Sequence, residues 1–122
     1  MGSSKVTSVV SWVLVVLLAL GFLLASVGKL TGAMTQMFIQ WGYPVWFVTV
    51  IGIFELLGAI GLLIPKLTRL AILGLTIIML GGVYTHLANG EGLEVIRPGI
   101  FLVLLWAVWF LRRYSFSFSS EA

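Results

Sequence analysis

Four long apolar runs occupy most of the sequence, and they constrain the fold more than any other feature. They extend over about residues 9–30, 44–64, 67–87 and 95–111. Each is close to the roughly 20 residues that an α-helix needs to cross the hydrocarbon core of a bilayer. Only 9% of the 122 residues are charged, whereas a soluble domain carries about 25% charged residues. The sequence therefore predicts a single integral membrane domain over residues 1–122, without room for a separate soluble catalytic domain.

The connection between the first two runs, residues 31–43, has a helical pattern of its own. Met34, Met37, Phe38 and Trp41 follow an i, i+3, i+4, i+7 spacing, and polar residues fall between them. This spacing is typical of a short amphipathic helix that lies in the membrane interface, and Gly42 would end it. The predicted fold is all-α: a four-helix transmembrane bundle, up-down-up-down, with one short interfacial helix between spans 1 and 2.

The distribution of cations predicts the orientation of the chain. Five cations fall on the side that holds both termini and the turn over residues 65–69: Lys5, Lys66, Arg69, Arg112 and Arg113. Two fall on the opposite, outer side: Lys29 and Arg97. The positive-inside rule then places both termini in the cytoplasm, and we expect residence in a bacterial inner (plasma) membrane.

The first run is too long for the apolar part of a usual signal peptide, so we interpret it as a retained span with Ser8 or Ser11 near its start. The tail over residues 115–122 is expected to follow the interface, and its role stays open.

Several classes of function are excluded or unsupported. The chain has no cysteine, which excludes thiolate metal sites, Fe–S clusters and disulfide exchange within this chain. One histidine and four acidic residues give no recognisable metal-ligand spacing. No nucleophile triad, phosphate-binding loop or nucleic-acid-binding motif is present in the sequence.

Glu55 is the only charged residue of the second run, and it stands near its middle. A carboxylate at that depth costs several kcal/mol unless it faces protein, water or a ligand. Gly52, Gly58 and Ala59 project within about 60° of it on a helix, and small residues mark the face on which membrane helices pack. We therefore expect Glu55 to point into the bundle. On the third run, three glycines predict another close-packing face: Gly74, Gly81 and Gly82.

The other ionisable residues of the outer half form a set around Glu55. Lys29 and His86 are expected about 13–14 Å outside the midplane, and Arg97 about 9 Å outside it. The functional interpretation is a polar pocket with Glu55 at its floor and these three at its mouth, suited to a quinone headgroup or another polar-headed lipid. His86 would donate a hydrogen bond or carry a proton, and Glu55 would accept one. The structural alternatives are an ion pair at Glu55, a helix cap at His86, and Lys29 and Arg97 extended to the interface.

Three stretches resemble the DoxX-like family of small four-span membrane proteins. The first span ends F-L-L-A-S-V-G-K-L (Phe22–Leu30), the second carries F-E-L-L-G-A-I-G-L-L-I-P (Phe54–Pro65), and the third ends with His86. The resemblance covers about residues 9 to 112. It implies a four-span membrane protein similar to membrane subunits of a thiosulfate:quinone oxidoreductase, and other members have been associated with oxidative-stress complexes. Its plan is also similar to four-helix membrane proteins that act as assembly factors or bind sterol-like ligands. Because cysteine is absent, likeness to thiol-based quinone reductases is not carried over.

Three hypotheses for function follow. The first is a redox-associated membrane subunit that binds a quinone-like or lipid headgroup near Glu55, His86, Lys29 and Arg97; any catalysis would then belong to a quinone-linked oxidoreductase of which it is a subunit. The second is a non-enzymatic scaffold, assembly factor or lipid-binding protein. The third is an ion or proton pathway, which one acid in one bundle does not support by itself. The expected partners are the bilayer and other membrane subunits or further copies of the chain, and the only cofactor considered is a quinone.

Overall fold

The computed structural model describes the backbone of residues 2–121 and the side chains of residues 5–112. Over this part the chain is helical, with no strand. The elements are α1 (Gly2–Leu30), α2 (Thr35–Gln40), α3 (Val45–Leu63), α4 (Thr68–Ala88), a 3-10 turn (Gly92–Val95) and α5 (Ile96–Glu121). Four segments are long and apolar enough to cross a membrane: Lys5–Leu30, Val45–Leu63, Thr68–Ala88 and Gly92–Arg112. The predicted all-α fold with four spans and a short helix between the first two is confirmed.

The four long helices form a ring in chain order. Helix α1 packs on α3 and α5, and α4 packs on the same two helices from the opposite side. The connections between α3 and α4 and between α4 and α5 are short, as they are in up-down bundles. The start of α1, the α3–α4 turn and the end of the last span therefore share one end of the bundle, which we call the terminal end. The opposite end carries α2 and the 3-10 turn, and we call it the α2 end.

The core of the bundle is apolar, as in a soluble protein, but its outer surface is apolar as well. Large apolar side chains fill the centre of the ring, including Leu18, Leu62, Ile72 and Leu105, each at most 1% exposed. Many more apolar side chains cover the outside; Leu24 and Ile77, for example, are 72% and 71% exposed. Such a surface is stable only where lipid replaces water, which agrees with an integral membrane protein.

The ends of two elements differ from the sequence prediction. Helix α1 begins at Gly2, earlier than the predicted start of the span at about residue 9, and Ser11 is completely buried inside the bundle. Helix α2 covers only Thr35–Gln40 of the predicted segment over residues 31–43. The backbone of the tail continues α5 as far as Glu121, while the side chains beyond residue 112, including Arg113, lie outside the described part.

The glycines of α3 confirm the prediction for that helix, and those of α4 do not. A Cβ atom at Gly58 would lie 2.6 Å from the side chain of Leu75, and one at Gly52 would lie 3.1 Å from the Cβ of Lys29. Within the described residues nothing lies within 4 Å of such an atom at Gly74 or Gly81. The predicted close-packing face of α4 is therefore wrong at these two positions: Gly74 is exposed, and Gly81 lines an open cavity in the bundle.

The turn between α3 and α4 is closed by one side chain. The hydroxyl of Thr68, 2% exposed, donates to the carbonyl oxygens of Leu62 and Ile64 at 3.0 and 3.1 Å. Leu62 belongs to the last turn of α3, where helical N–H groups run out, and the carbonyl oxygen of Ile64 also accepts from the backbone N–H of Leu67 at 2.8 Å. Thr68 therefore satisfies the end of one helix from the first residue of the next.

Candidate functional site

A cavity of about 500 Å³ occupies the half of the bundle nearest the α2 end. All four residues predicted from the sequence line it: Lys29, Glu55, His86 and Arg97. Most of the remaining lining is apolar or aromatic, and Phe38 and Trp41 contribute to it from α2 and the residue after it. Leu24 and Ile77 also line it, and because both are largely exposed the cavity reaches the lipid-facing surface. An apolar cavity with a few polar groups is the usual form of a small-molecule site.

Glu55 and Lys29 form an ion pair deep in this cavity. The Nζ atom of Lys29 lies 2.8 Å from Oε1 of Glu55, and the two side chains are 13% and 1% exposed. The contact has the length of a charge-assisted hydrogen bond, and a carboxylate oxygen has a second lone pair. Oε1 can therefore still accept a directed hydrogen bond. The Lys29 ammonium carries three hydrogens, so the pair offers one acceptor and further donors to the cavity.

Close packing at Gly52 explains how Lys29 reaches Glu55. The Cβ of Lys29 packs at the position where Gly52 lacks a side chain, which places the lysine backbone one helical turn from Glu55 rather than the expected 13–14 Å away. Helix α1 can come this close only because Gly52 has no Cβ. The alternative in which Lys29 extends outward to the interface is wrong, because its side chain is directed to Glu55.

His86 is held at the mouth of the cavity by an acidic residue that the sequence did not single out. Its Nδ1 atom lies 2.8 Å from Oε1 of Glu91, and Nε1 of Trp41 donates to the other carboxylate oxygen of Glu91 at 3.4 Å. A carboxylate only accepts, so Nδ1 of His86 carries the hydrogen. The hydrogen bond from His86, assisted by that from Trp41, holds the pKa of Glu91 below its ordinary value.

The turn after α4 places Glu91 beside His86. Gly90 has a φ of +72°, a conformation that glycine adopts without the strain other residues meet. The chain reverses there, and the backbone N–H of Glu91 donates to the carbonyl oxygen of His86 at 2.8 Å. Sequence patterns at helical spacing could not show this pair; the remaining signal was the Asn-Gly-Glu turn that begins three residues after the histidine.

A second hydrogen-bond chain lies along the cavity wall. Tyr43 and Thr85 have their hydroxyl oxygens 2.6 Å apart, and Thr85 donates its hydrogen to the carbonyl oxygen of Gly81 at 2.8 Å. Tyr43 must therefore be the donor to Thr85. The Tyr43 ring stacks on Phe47 with 4.9 Å between centroids, which extends an aromatic wall toward Phe38.

Arg97 differs from the other three predicted residues. It lines the cavity but is exposed, and among the described side chains it forms no ion pair. Its charge is thus available at the mouth of the cavity. Among the side chains of residues 5–112 there is also no group of three histidine or acidic residues that could hold a metal ion.

Comparison with known proteins supports the resemblance found in the sequence. The family model of the DoxX-like family matches residues 13–108, a region that contains all four predicted site residues. No curated protein and no solved structure gave a match. A match over most of the chain, together with four apolar helices of membrane-spanning length, establishes that this chain belongs to the DoxX-like family.

Proposed function

We propose that this protein binds an amphiphilic lipid with an uncharged polar head, of the quinone and quinol type, in the cavity that contains the Lys29–Glu55 pair. The observation that carries the proposal is a buried ion pair with unused hydrogen-bonding capacity inside an otherwise apolar cavity. The head would lie against the pair, and the tail would leave between the exposed side chains of Leu24 and Ile77 toward the bilayer.

The hydrogen-bonding groups fit both redox states of such a head. A quinone offers carbonyl oxygens, which would accept from the ammonium of Lys29. A quinol offers hydroxyls, which would donate to Oε1 of Glu55. Planar rings also suit an aromatic wall such as that formed by Phe38, Tyr43 and Phe47. The same two residues can thus hold the head before and after reduction.

The charge balance disfavours an anionic head at this position. A phosphate or carboxylate would compete with Glu55 for Lys29 and leave a buried carboxylate without its partner, which costs about 3–5 kcal/mol. An uncharged head leaves the pair intact. The selectivity for uncharged heads therefore comes from Glu55.

Redox chemistry would need a partner protein. We infer a membrane subunit that presents a quinone to an electron-transferring subunit, and the chain would take part in catalysis only within that complex. The second candidate is a non-enzymatic scaffold or lipid-binding protein. The ion pair itself favours it, because it joins α1 to α3 without a ligand.

Lipid analysis of the purified protein tests the proposal. The protein is prepared in mild detergent, and co-purified lipids are identified by mass spectrometry and by titration with a short-chain ubiquinone. We expect bound quinone in the unmodified protein, a loss of about tenfold or more in affinity in Glu55→Gln, and a smaller loss in His86→Ala. Glu94→Gln is the matched control, since Glu94 is an exposed carboxylate outside the lining of the cavity.

Two results would overturn the proposal. Equal quinone binding in Glu55→Gln and Glu94→Gln would remove the pair from the site. No quinone binding in the unmodified protein, with partner proteins retained, would favour the scaffold. A gain of fatty-acid binding in Glu55→Gln would support the selectivity argument, since that variant frees Lys29 for an anion.

A further inference from the structure

A second buried cation lies at the terminal end of the bundle, away from the cavity. Arg112 is 8% exposed and reaches from α5 to α1. Its Nε donates to the hydroxyl of Ser11 at 2.6 Å, and its Cζ lies 4.4 Å from the ring centroid of Trp12. None of these three residues lines the cavity of the candidate site.

The guanidinium of Arg112 is incompletely satisfied. Its Nη2 atom is buried and has no hydrogen-bond partner in the described part of the chain. Within the described side chains no ion pair joins Arg112 to a carboxylate. A buried charge without a counter-charge costs several kcal/mol, and an unpaired buried donor adds about 1–3 kcal/mol.

The surroundings of Arg112 add further positive charge. Lys5, Lys66 and Arg69 lie at the same end of the bundle, and the three acidic residues with described side chains lie elsewhere: Glu55 in α3, and Glu91 and Glu94 at the α2 end. The described side chains thus offer Arg112 no carboxylate, and an anion from outside this part of the chain would balance its charge.

The bilayer supplies one at this depth. Arg112 directly follows the last apolar run of the sequence, and Trp12, 40% exposed, stands beside it as tryptophans do at the level of lipid headgroups. A guanidinium offers its N–H groups as a planar fork that matches phosphate, and basic pockets between spans bind anionic headgroups. We propose that the terminal end carries a site for the phosphate of an anionic phospholipid, with Arg112 as the phosphate-binding residue. Ser11 and Trp12 position its guanidinium.

Stabilisation by lipid tests this site. The full chain in neutral detergent is heated with added dioleoylphosphatidylglycerol or with dioleoylphosphatidylcholine, and the unfolding midpoints are compared. We expect a larger rise with phosphatidylglycerol in the unmodified protein, and loss of that excess in Arg112→Gln, with an affinity about tenfold lower. Lys66→Gln is the matched control, because it removes one exposed cation from the same end, and it should keep the excess.

Further variants keep the test decisive where Arg112→Gln does not fold. Arg112→Lys retains the charge without the fork, and Ser11→Ala retains the arginine without its anchor; both are expected to reduce the excess. An unchanged excess in these variants would mean that a water molecule satisfies the guanidinium. An equal loss in Lys66→Gln would mean diffuse attraction to a basic surface, and an equal effect of inorganic phosphate would mean a free-anion site. Each of these three results would overturn the proposal.

Discussion

Lys29 and Arg112 are both largely buried cations, and they lie near opposite ends of the bundle. Lys29 meets a carboxylate from a neighbouring helix at 2.8 Å, beside a cavity of about 500 Å³. Arg112 meets a hydroxyl and an indole ring, and one of its nitrogens has no partner among the described residues. On this difference rest the two proposals above, in which the two ends of the bundle favour ligands of different charge. A cation balanced within the chain favours an uncharged head, whereas a cation left unbalanced favours an anion.

The strongest test of this comparison replaces each cation with methionine. Lys29→Met leaves Glu55 buried without its partner, and we expect a loss of about 3–5 kcal/mol in the free energy of unfolding. Arg112→Met removes a charge that has no counter-charge among the described side chains, and it is expected to cost much less in detergent without anionic lipid. Unfolding by sodium dodecyl sulfate in mixed micelles measures both. Similar losses in the two variants would break the comparison, since Arg112 would then have an internal counter-charge.

Glycine substitutions compare how the two halves of the bundle fill space. A methyl group at Gly58 would meet the buried side chain of Leu75 at 2.6 Å, whereas one at Gly28, in the lining of the cavity, would meet Met34 at an ordinary 3.6 Å. Gly58→Ala should therefore lose about 1–3 kcal/mol through overpacking. Gly28→Ala should keep its stability and weaken quinone binding by narrowing the cavity. The same unfolding assay and quinone titration measure the two effects. Equal stabilities of Gly58→Ala and Gly28→Ala would show that the side chain of Leu75 moves aside at little cost.

The smallest expected effect concerns pH at the mouth of the cavity. Because its hydrogen bonds lower the pKa of Glu91, this residue stabilises the folded state above its ordinary pKa of 4.5, and the contribution is lost as the pH falls through the lowered value. The thermal midpoint of the unmodified protein should exceed that of Glu91→Gln at neutral pH, and the two should converge in acid. Glu94→Gln should follow the unmodified protein throughout. A difference that did not shrink as the pH falls below 4.5 would assign the effect to packing rather than to charge.

The fold and the inward direction of Glu55 were predictable, because the bilayer allows few backbone structures and few positions for a charge. Backbone groups in hydrocarbon must bond within helices, so four apolar runs dictated four spans. The small residues around Glu55 correctly indicated its inward direction. The Lys29–Glu55 contact was not predictable, because the level of one helix against the next depends on how closely they approach at Gly52. The exposed Gly74 shows a second limit of the sequence. The spacing of glycines does not indicate whether the helix face that carries them packs against another helix.

Tertiary geometry accounts for the other unpredicted features. The Glu91–His86 pair depends on the left-handed conformation of Gly90, which a helical pattern does not encode. Arg112 and Ser11 are 101 positions apart in the chain, and in the sequence each read only as a residue near the end of a span. Their contact follows from the closed ring and not from either local pattern.

The order of helices around the ring bears on how the bundle forms. The ring has four seams, which are the contacts between neighbouring long helices. Three of these seams join long helices that are consecutive in the chain, so each of them closes only a short loop. The fourth, between α5 and α1, joins distant residues such as Arg112 and Ser11 and has the greatest loop-closure entropy to overcome. We therefore expect this contact between α5 and α1 to form last, after the other three seams have formed. Substitutions in it should then change the rate of unfolding more than the rate of folding, and the cation of Arg112 would pass from the membrane surface to the interior in the final step.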